Sequence, residues 1–314
     1  MKNNNPKGII LILIGMFIVS FMDATFKYIN TSVNLYEAYF VRTLISFGVI
    51  ASYLKITNKP IIFTTHYPLL TSIRVILFFF GFSSFYISLT IMPLATATAL
   101  FFASPFLITV FAIFFLKEEV GIRRWSAVII GFIGVYIILN PDFNDFDYLS
   151  LTPVLCAFCY ALSMIIIKKT SDKDDVYSQM FHFYIFAITI SLIIYFFIGD
   201  GQYNNFDYPA SQFILRKWFS NLEFSLPYMI FIGVVGAIGF LCFFTAYRIA
   251  SPAVVSPFEY SILAWASLNG WIFFDEIPNQ RTIVGMILIV CGSIYIFIRE
   301  KAQDQSIATE KPLR

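Results

Sequence analysis

The chain has 314 residues, of which 59% are hydrophobic and 13% are charged. Soluble globular domains carry about 25% charged residues, so the composition excludes a soluble protein and indicates an integral membrane protein. The net charge is only +2 and the basic residues are dispersed, which excludes a nucleic-acid-binding surface.

Apolar stretches long enough to cross a bilayer recur along the chain. A transmembrane helix needs about 20 predominantly apolar residues, and charge clusters, Pro and Asn divide the sequence into ten such helices. The predicted helices cover residues 8–29, 34–54, 67–90, 93–116, 124–140, 149–168, 176–198, 225–247, 253–273 and 280–298. The predicted fold class is therefore an all-α integral membrane protein with ten transmembrane helices.

We expect the first of these helices to be retained rather than removed as a signal peptide. It lacks a small-residue cleavage site, and Asp23 and Lys27 follow where cleavage would occur.

The distribution of Lys and Arg predicts the orientation in the membrane. If both termini are cytoplasmic, the cytoplasmic segments hold most of the basic residues and the opposite side holds only Arg216, Lys217 and Arg281. An excess of Lys and Arg in the cytoplasmic segments determines the orientation of a membrane protein. It predicts a multi-pass protein of the cytoplasmic (inner) membrane with both termini in the cytoplasm.

One predicted outer segment, residues 200–224, is long. Its middle part, "SQFILRKWFSNL" at 211–222, is compatible with an amphipathic helix at the membrane interface, with Phe213, Trp218 and Phe219 among the headgroups. A folded loop is the alternative.

The two halves of the chain resemble each other weakly. An offset of 157 residues aligns Glu119 with Glu276, and an offset of 141 residues aligns Lys27 with Lys168. The helix count and the positions of the breaks agree as well, which predicts two repeats.

The repeats are predicted to be five-helix units at residues 1–144 and 145–300, followed by a cytoplasmic tail at 301–314. An odd number of crossings inverts the second unit relative to the first, which is the plan of many secondary transporters.

Asp23 and Lys27 lie within the first predicted helix and are spaced i,i+4, so they share one helix face. Ionisable groups at membrane depth usually face the bundle interior and have a partner. We expect the two side chains to neutralise each other. Together with Arg42 they form either a structural ionic lock or part of a solute-binding network. Arg74 lies near the cytoplasmic end of its helix, with a stem long enough to snorkel.

Glu259 is the most informative of these charges. It follows Pro257 in "VVSPFEYSILAW", where the proline removes a backbone hydrogen bond and kinks the helix. Its counterpart in the first repeat is "FFASPFLI", with Ser104 and Pro105. Interruptions at corresponding positions of two repeats indicate a binding site at the midplane. A carboxylate there binds a cation, an amine or a proton, or else pairs with Arg42, Arg74 or Lys27.

Aromatic residues are abundant, and several lie on the helices predicted to surround the cavity. Each either packs against neighbouring helices or stacks on a planar or cationic solute. The candidate substrate-binding residues are Asp23, Lys27, Arg42, Arg74, Tyr86, Phe101, Ser104, Phe258, Glu259, Tyr260 and Trp265, with helix breaks at Pro105 and Pro257.

The sequence offers no enzyme, metal or cofactor signature. "CAFC" at 156–159 lacks the His or second Cys pair of a zinc site. His66 and His182 stand apart, and there is no H-E-x-x-H, G-x-S-x-G or Walker motif. Transport is therefore expected to use a gradient or solute exchange, and no cofactor.

Three stretches together resemble a known family: "FMDATFK" at 21–27, residues 93–138 beginning "PLATATALFFASP", and residues 246–296 containing "PFEY". They resemble the drug/metabolite transporter superfamily, EamA type. The Asp-x-x-x-Lys and "PFEY" elements are similar to those of bacterial S-adenosylmethionine uptake and riboflavin carriers.

The resemblance implies ten helices in two inverted repeats and a secondary transporter that moves a small polar organic metabolite by alternating access. The expected partners are a small-molecule solute and membrane lipid, and no oligomeric state follows. Export of amino acids or related metabolites is the alternative direction. A membrane-embedded enzyme or a sensor is the alternative from another class.

Overall fold

The computed structural model describes residues 5–116, 122–139, 148–250, 255–288 and 290–291, and within them every regular element is a helix. The first half contains α1 (Asn5–Ile29), α2 (Leu35–Ile56), α3 (Pro68–Ser88), α4 (Leu94–Phe101), α5 (Ser104–Leu116) and α6 (Ile122–Leu139). The second half contains the 3₁₀ helix η1 (Tyr148–Leu151), α7 (Thr152–Thr170), α8 (Val176–Ile198), α9 (Pro209–Leu215), α10 (Leu222–Ile249), the 3₁₀ helix η2 (Ser256–Tyr260) and α11 (Ser261–Phe274). Residues 280–288 are also helical.

Six helices of the described part of the chain are long and apolar enough to cross a membrane by themselves: α1, α2, α3, α7 with η1, α8 and α10. The all-α membrane class is confirmed. The count of ten crossings stays a prediction, because the fourth and ninth predicted helices are each divided into shorter segments. Glu119 and the predicted tail at 301–314 lie outside the described residues.

The divided helices place their prolines in the first turn of a new segment. α4 ends at Phe101 and α5 begins at Ser104, so Pro105 is the second residue of α5. Pro257 has the same place in η2, which leads directly into α11. Proline is tolerated there because the first N–H groups of a helix have no partner within it.

α10 packs closely against α1 and α2 through glycines. A Cβ atom on Gly239 would lie 2.7 Å from Val19 Cγ2, and one on Gly233 would lie 2.8 Å from Ile45 Cβ. Small residues allow this close approach between helices in a membrane. α10 is thereby held beside α1 and helps to enclose the centre of the molecule.

The segment before α10 is a folded loop with one short helix, α9. The alternative of an interface helix over 211–222 is wrong, since α9 ends at Leu215. Trp218 is buried, with its ring centroid 5.1 Å from that of Tyr195, and Phe213 is buried as well. These rings face the protein's own helices rather than the headgroups, and only Phe219 is exposed.

Candidate functional site

A small central cavity lies where α1, α3, α4, α7, α10 and α11 meet. Its polar lining residues are Asp23, Thr98 and Tyr160, and the remaining lining is apolar or aromatic. The volume of the cavity is about 30 Å³, whereas pockets for small molecules usually measure about 300–1,000 Å³. The packing is therefore closed around this cavity.

Asp23, Tyr86 and Arg42 form a buried cluster at the cavity, called here the Asp23 cluster. The Tyr86 hydroxyl donates to Asp23 Oδ1 at 3.2 Å, and Arg42 Nη1 donates to the same hydroxyl oxygen at 3.4 Å. Asp23 is 5% exposed and Arg42 is 1% exposed. Tyr86 thus links a buried carboxylate to a buried cation, and the two charges offset each other.

The Arg42 guanidinium is also surrounded by aromatic rings. Its Cζ lies 4.4 Å from the ring centroid of Tyr39 and 5.3 Å from that of Phe26. Such contacts stabilise a desolvated cation. Nη2 of Arg42 is buried and has no hydrogen-bond partner among the described residues, so a solute acceptor can reach it only after the packing around the cluster opens.

The expected pairing of Asp23 with Lys27 does not occur. Lys27 Nζ instead contacts Glu276 Oε1 at 2.6 Å and donates to the Met92 carbonyl at 2.9 Å. The second carboxylate oxygen of Glu276 accepts from Leu94 N–H at 3.0 Å. Lys27 lies one turn nearer the end of α1, where the α3–α4 loop and the end of α11 meet. Its charge is offset there rather than at Asp23.

Glu259, Tyr160 and Tyr247 form a second buried cluster, the Glu259 cluster. Oε1 of Glu259 accepts from the Tyr160 hydroxyl at 2.8 Å and from the Tyr247 hydroxyl. Glu259 is 0% exposed, and its Oε2 has no hydrogen-bond partner among the described residues. The alternative considered from the sequence, a pairing with Arg42, Arg74 or Lys27, is absent from the ion pairs of the described residues.

Arg74 does not snorkel, since it is 1% exposed. Its Nη2 donates to the Gln179 carbonyl at 2.8 Å, and its Cζ lies 5.7 Å from the Phe244 ring centroid. The side chain runs inward between α3, α8 and α10 because the chain offers it a backbone acceptor there.

The aromatic candidates divide between the cavity and its surroundings. Phe101 lines the cavity, with its ring centroid 5.1 Å from that of Tyr160. Tyr260 is buried and packs on Phe102 at 4.7 Å. Trp265 packs on Phe17 of α1 at 4.9 Å and is not among the lining residues. Phe258 is half-buried and Ser104 is fully buried.

Three residues that contact the candidate charges were not among the sequence candidates: Tyr160 and Tyr247 beside Glu259, and Glu276 beside Lys27. Glu276 had a signal, because the internal repeat aligned it with Glu119, but that signal indicated only a repeated helix end. Tyrosines in an apolar helix carry no such signal, since most of them pack against lipid or protein.

The chain matches the EamA-like transporter family over residues 6–140 and 149–298. It belongs to that family. The resemblance found in the sequence is thereby confirmed, and the protein is a membrane transporter of a small-molecule solute rather than an enzyme.

Named relatives share most of the length of this EamA protein. The S-adenosylmethionine uptake transporter of Rickettsia prowazekii is 28% identical over 301 residues, which cover 95% of each chain. The riboflavin transporter of Vibrio cholerae is 30% identical over 65% of this chain and 63% of its own length. The pseudopaline exporter of Pseudomonas aeruginosa is 23% identical over 91% of this chain and 94% of its own.

One solved crystal structure has the same fold, with a TM-score of 0.65 and 14% sequence identity, over 93% of this chain and 98% of the other.

Proposed function

We propose that this EamA protein takes up a small metabolite of the S-adenosylmethionine type across the cytoplasmic membrane by alternating access. The observation that carries the proposal is the Asp23 cluster, in which a carboxylate lines an aromatic cavity and is linked through the Tyr86 hydroxyl to a buried guanidinium. S-adenosylmethionine has the complementary groups: a sulfonium and an amine, a carboxylate, and a planar adenine.

The charges favour this solute class over the riboflavin class. Riboflavin offers a neutral ring system and hydroxyl groups, whereas the charged groups of S-adenosylmethionine are complementary to both the Asp23 carboxylate and the Arg42 guanidinium. The relative named for S-adenosylmethionine uptake also covers more of this chain than the relative named for riboflavin.

Access from either side requires the cavity to open, and each end has contacts that must break. At the end formed by α1 and α11, Lys27 joins Glu276 and the Met92 carbonyl. At the opposite end, Lys168 Nζ donates to the Ala250 carbonyl at 3.4 Å. Lys27 and Lys168 are the residues aligned by the repeat. Each donates to the loop between the third and fourth predicted helices of its own half.

This equivalence supports the two inverted repeats at 1–144 and 145–300. With the bias of basic residues, it also supports an orientation in which both termini are cytoplasmic and the Lys27–Glu276 pair faces outward.

Uptake of labelled S-adenosylmethionine into bacterial cells and into proteoliposomes tests the proposal. We expect saturable uptake that Asp23→Asn abolishes and that Asp172→Asn, a change in an exposed loop, leaves intact. Binding should also raise the melting temperature of the purified protein, since a ligand at 100 times its Kd stabilises the folded state by about 2.7 kcal/mol. Uptake of riboflavin, or net export, with no effect of S-adenosylmethionine would contradict the proposed cargo.

A further inference from the structure

The Glu259 cluster contains a buried carboxylate that is only half satisfied. Two tyrosine hydroxyls converge on Oε1, and Oε2 has no hydrogen-bond partner among the described residues. Two neutral donors do not offset a full negative charge in a dry interior, where an ionised group needs a counter-charge. Oε2 therefore marks the place where a positive charge is missing.

Within the part of the chain that the structure describes, the helices packed around η2 bring no cation to Oε2. α1 runs past η2 with Gly8 against Val255 and Phe17 against Trp265, so the stretch beside Glu259 is residues 9–16. That stretch has no ionisable residue, and neither do α4, α5 and α11.

α7 and α10 supply the titratable groups near Glu259. These are Tyr160, with Cys156 one turn away on α7, and Tyr247 on α10. Of the basic residues on the same two helices, Lys168 donates to the Ala250 carbonyl, Arg248 donates to the Asp174 carbonyl at 2.7 Å, and Lys169 is exposed in the last turn of α7.

We propose that Glu259 is the proton-binding site that couples transport to the proton gradient. The proposal rests on the proposed transport function and deepens it. A proton from water on one side binds Oε2 and neutralises the carboxylate, while Oε1 keeps its two tyrosine hydrogen bonds. The closed conformation then carries a neutral carboxylic acid, and the proton leaves to water on the other side.

Tyr160 connects this site to the solute. Its hydroxyl donates to Glu259 Oε1, and the same side chain lines the cavity beside Asp23. Opening of the cavity to either side therefore brings water to the edge of the Glu259 cluster. Tyr160 therefore belongs to both the solute cavity and the proposed proton site, and coupling requires such a connection.

The proposal is tested on purified protein in proteoliposomes with labelled S-adenosylmethionine and two assays. Counterflow at equal pH on both sides measures exchange without a proton driving force. Uptake under an imposed pH gradient, with the membrane potential clamped, measures coupling.

For one proton per cycle, a gradient of one pH unit should change steady-state accumulation about tenfold. We expect Glu259→Gln to retain exchange and to lose the response to the gradient. Glu223→Gln, an exposed glutamate on α10, is the matched control and should retain both.

Two transport results overturn the coupling role. One is a wild-type protein that exchanges solute without any response to a pH gradient of either sign. The other is a folded Glu259→Gln protein that loses exchange together with the gradient response, because Glu259 would then bind the solute itself.

Infrared difference spectroscopy tests the same residue without any solute. We expect a band of a buried, protonated carboxylic acid at neutral pH that Glu259→Gln removes and Asp23→Asn retains. Absence of this band overturns the proton site. Its presence without transport of S-adenosylmethionine would refute the proposed cargo and leave the proton site standing.

Discussion

The two buried clusters at the centre of this EamA protein use the same groups to different effect. Each holds a carboxylate that accepts a hydrogen bond from tyrosine. Arg42 adjoins Asp23 through Tyr86, whereas Glu259 contacts two tyrosines and, among the described residues, no cation. A cation nearby lowers the cost of keeping a buried carboxylate charged, so we expect Asp23 to pair with a charged solute. We propose that Glu259 takes up a proton instead, and we therefore expect the neighbours of each carboxylate to determine its role.

Asp23→Asn should have the largest effect. It leaves Arg42 as an uncompensated buried cation, and breaking a buried hydrogen-bonded charge pair costs about 2–5 kcal/mol. We expect the initial rate of S-adenosylmethionine uptake to fall roughly 100-fold at equal expression, measured in proteoliposomes. Near-normal uptake by this variant would remove Asp23 from the solute site and erase the distinction between the clusters.

Arg42→Lys should have the next largest effect. Lysine keeps the charge but loses the planar fork and the stacking on Tyr39 and Phe26. We expect the affinity for the solute to weaken about tenfold, or about 1.4 kcal/mol, measured as the concentration that half-saturates uptake. Arg281→Lys, at an exposed position, is the control. An unchanged affinity would mean that Arg42 contributes charge alone.

Lys27→Met and Glu276→Gln test whether Lys27 belongs to the Asp23 cluster or to the outer end of the bundle. The double variant should be no less stable than either single variant, with a coupling energy of about 1 kcal/mol between the two changes. Thermal unfolding of purified protein measures this cycle. A second cycle that combines Lys27→Met with Asp23→Asn should show additive effects on stability. A coupling energy between these two changes would instead support the Asp23–Lys27 pairing first expected from their spacing.

Asp174, in the α7–α8 loop, should show the smallest effect. Burial opposes its ionisation, but hydrogen bonds from the His66 backbone N–H at 2.9 Å and the Thr65 hydroxyl at 2.5 Å outweigh this and lower its pKa. The stabilisation is present above the unfolded pKa of about 3.9 and is lost as the pH falls through the lower folded value.

Asp174→Asn should therefore reduce the unfolding free energy at pH 7 by about 1 kcal/mol and flatten the loss of stability below pH 4. Thermal melts across pH 3 to 7 measure both, with Asp172→Asn as the control. An unchanged pH profile would show that these hydrogen bonds do not keep the Asp174 carboxylate ionised. It would also weaken the interpretation of Asp23 as an ionised carboxylate.

The carboxylates of both clusters could be recognised in the sequence because an ionisable residue in a long apolar stretch is conspicuous. Their partners could not. Tyr160 is 99 residues from Glu259 and Glu276 is 249 residues from Lys27, and no local pattern links such positions. The local inference that Asp23 and Lys27 pair because they share a helix face was wrong. Asp23 contacts Tyr86 on α3, and Lys27 contacts Glu276, which follows the end of α11.

The sequence by itself determined the membrane class, the apolar stretches that become helices, and the few charges that need partners, because these depend on local composition and periodicity. The motifs of the sequence also indicated membership of the transporter family. Only the tertiary structure decided which charge meets which group, because partners in a bundle are selected by helix packing and not by separation along the chain. That selection placed Arg42 near Asp23 and, among the described residues, only tyrosines as polar contacts of Glu259, which is the difference on which the two proposed roles rest.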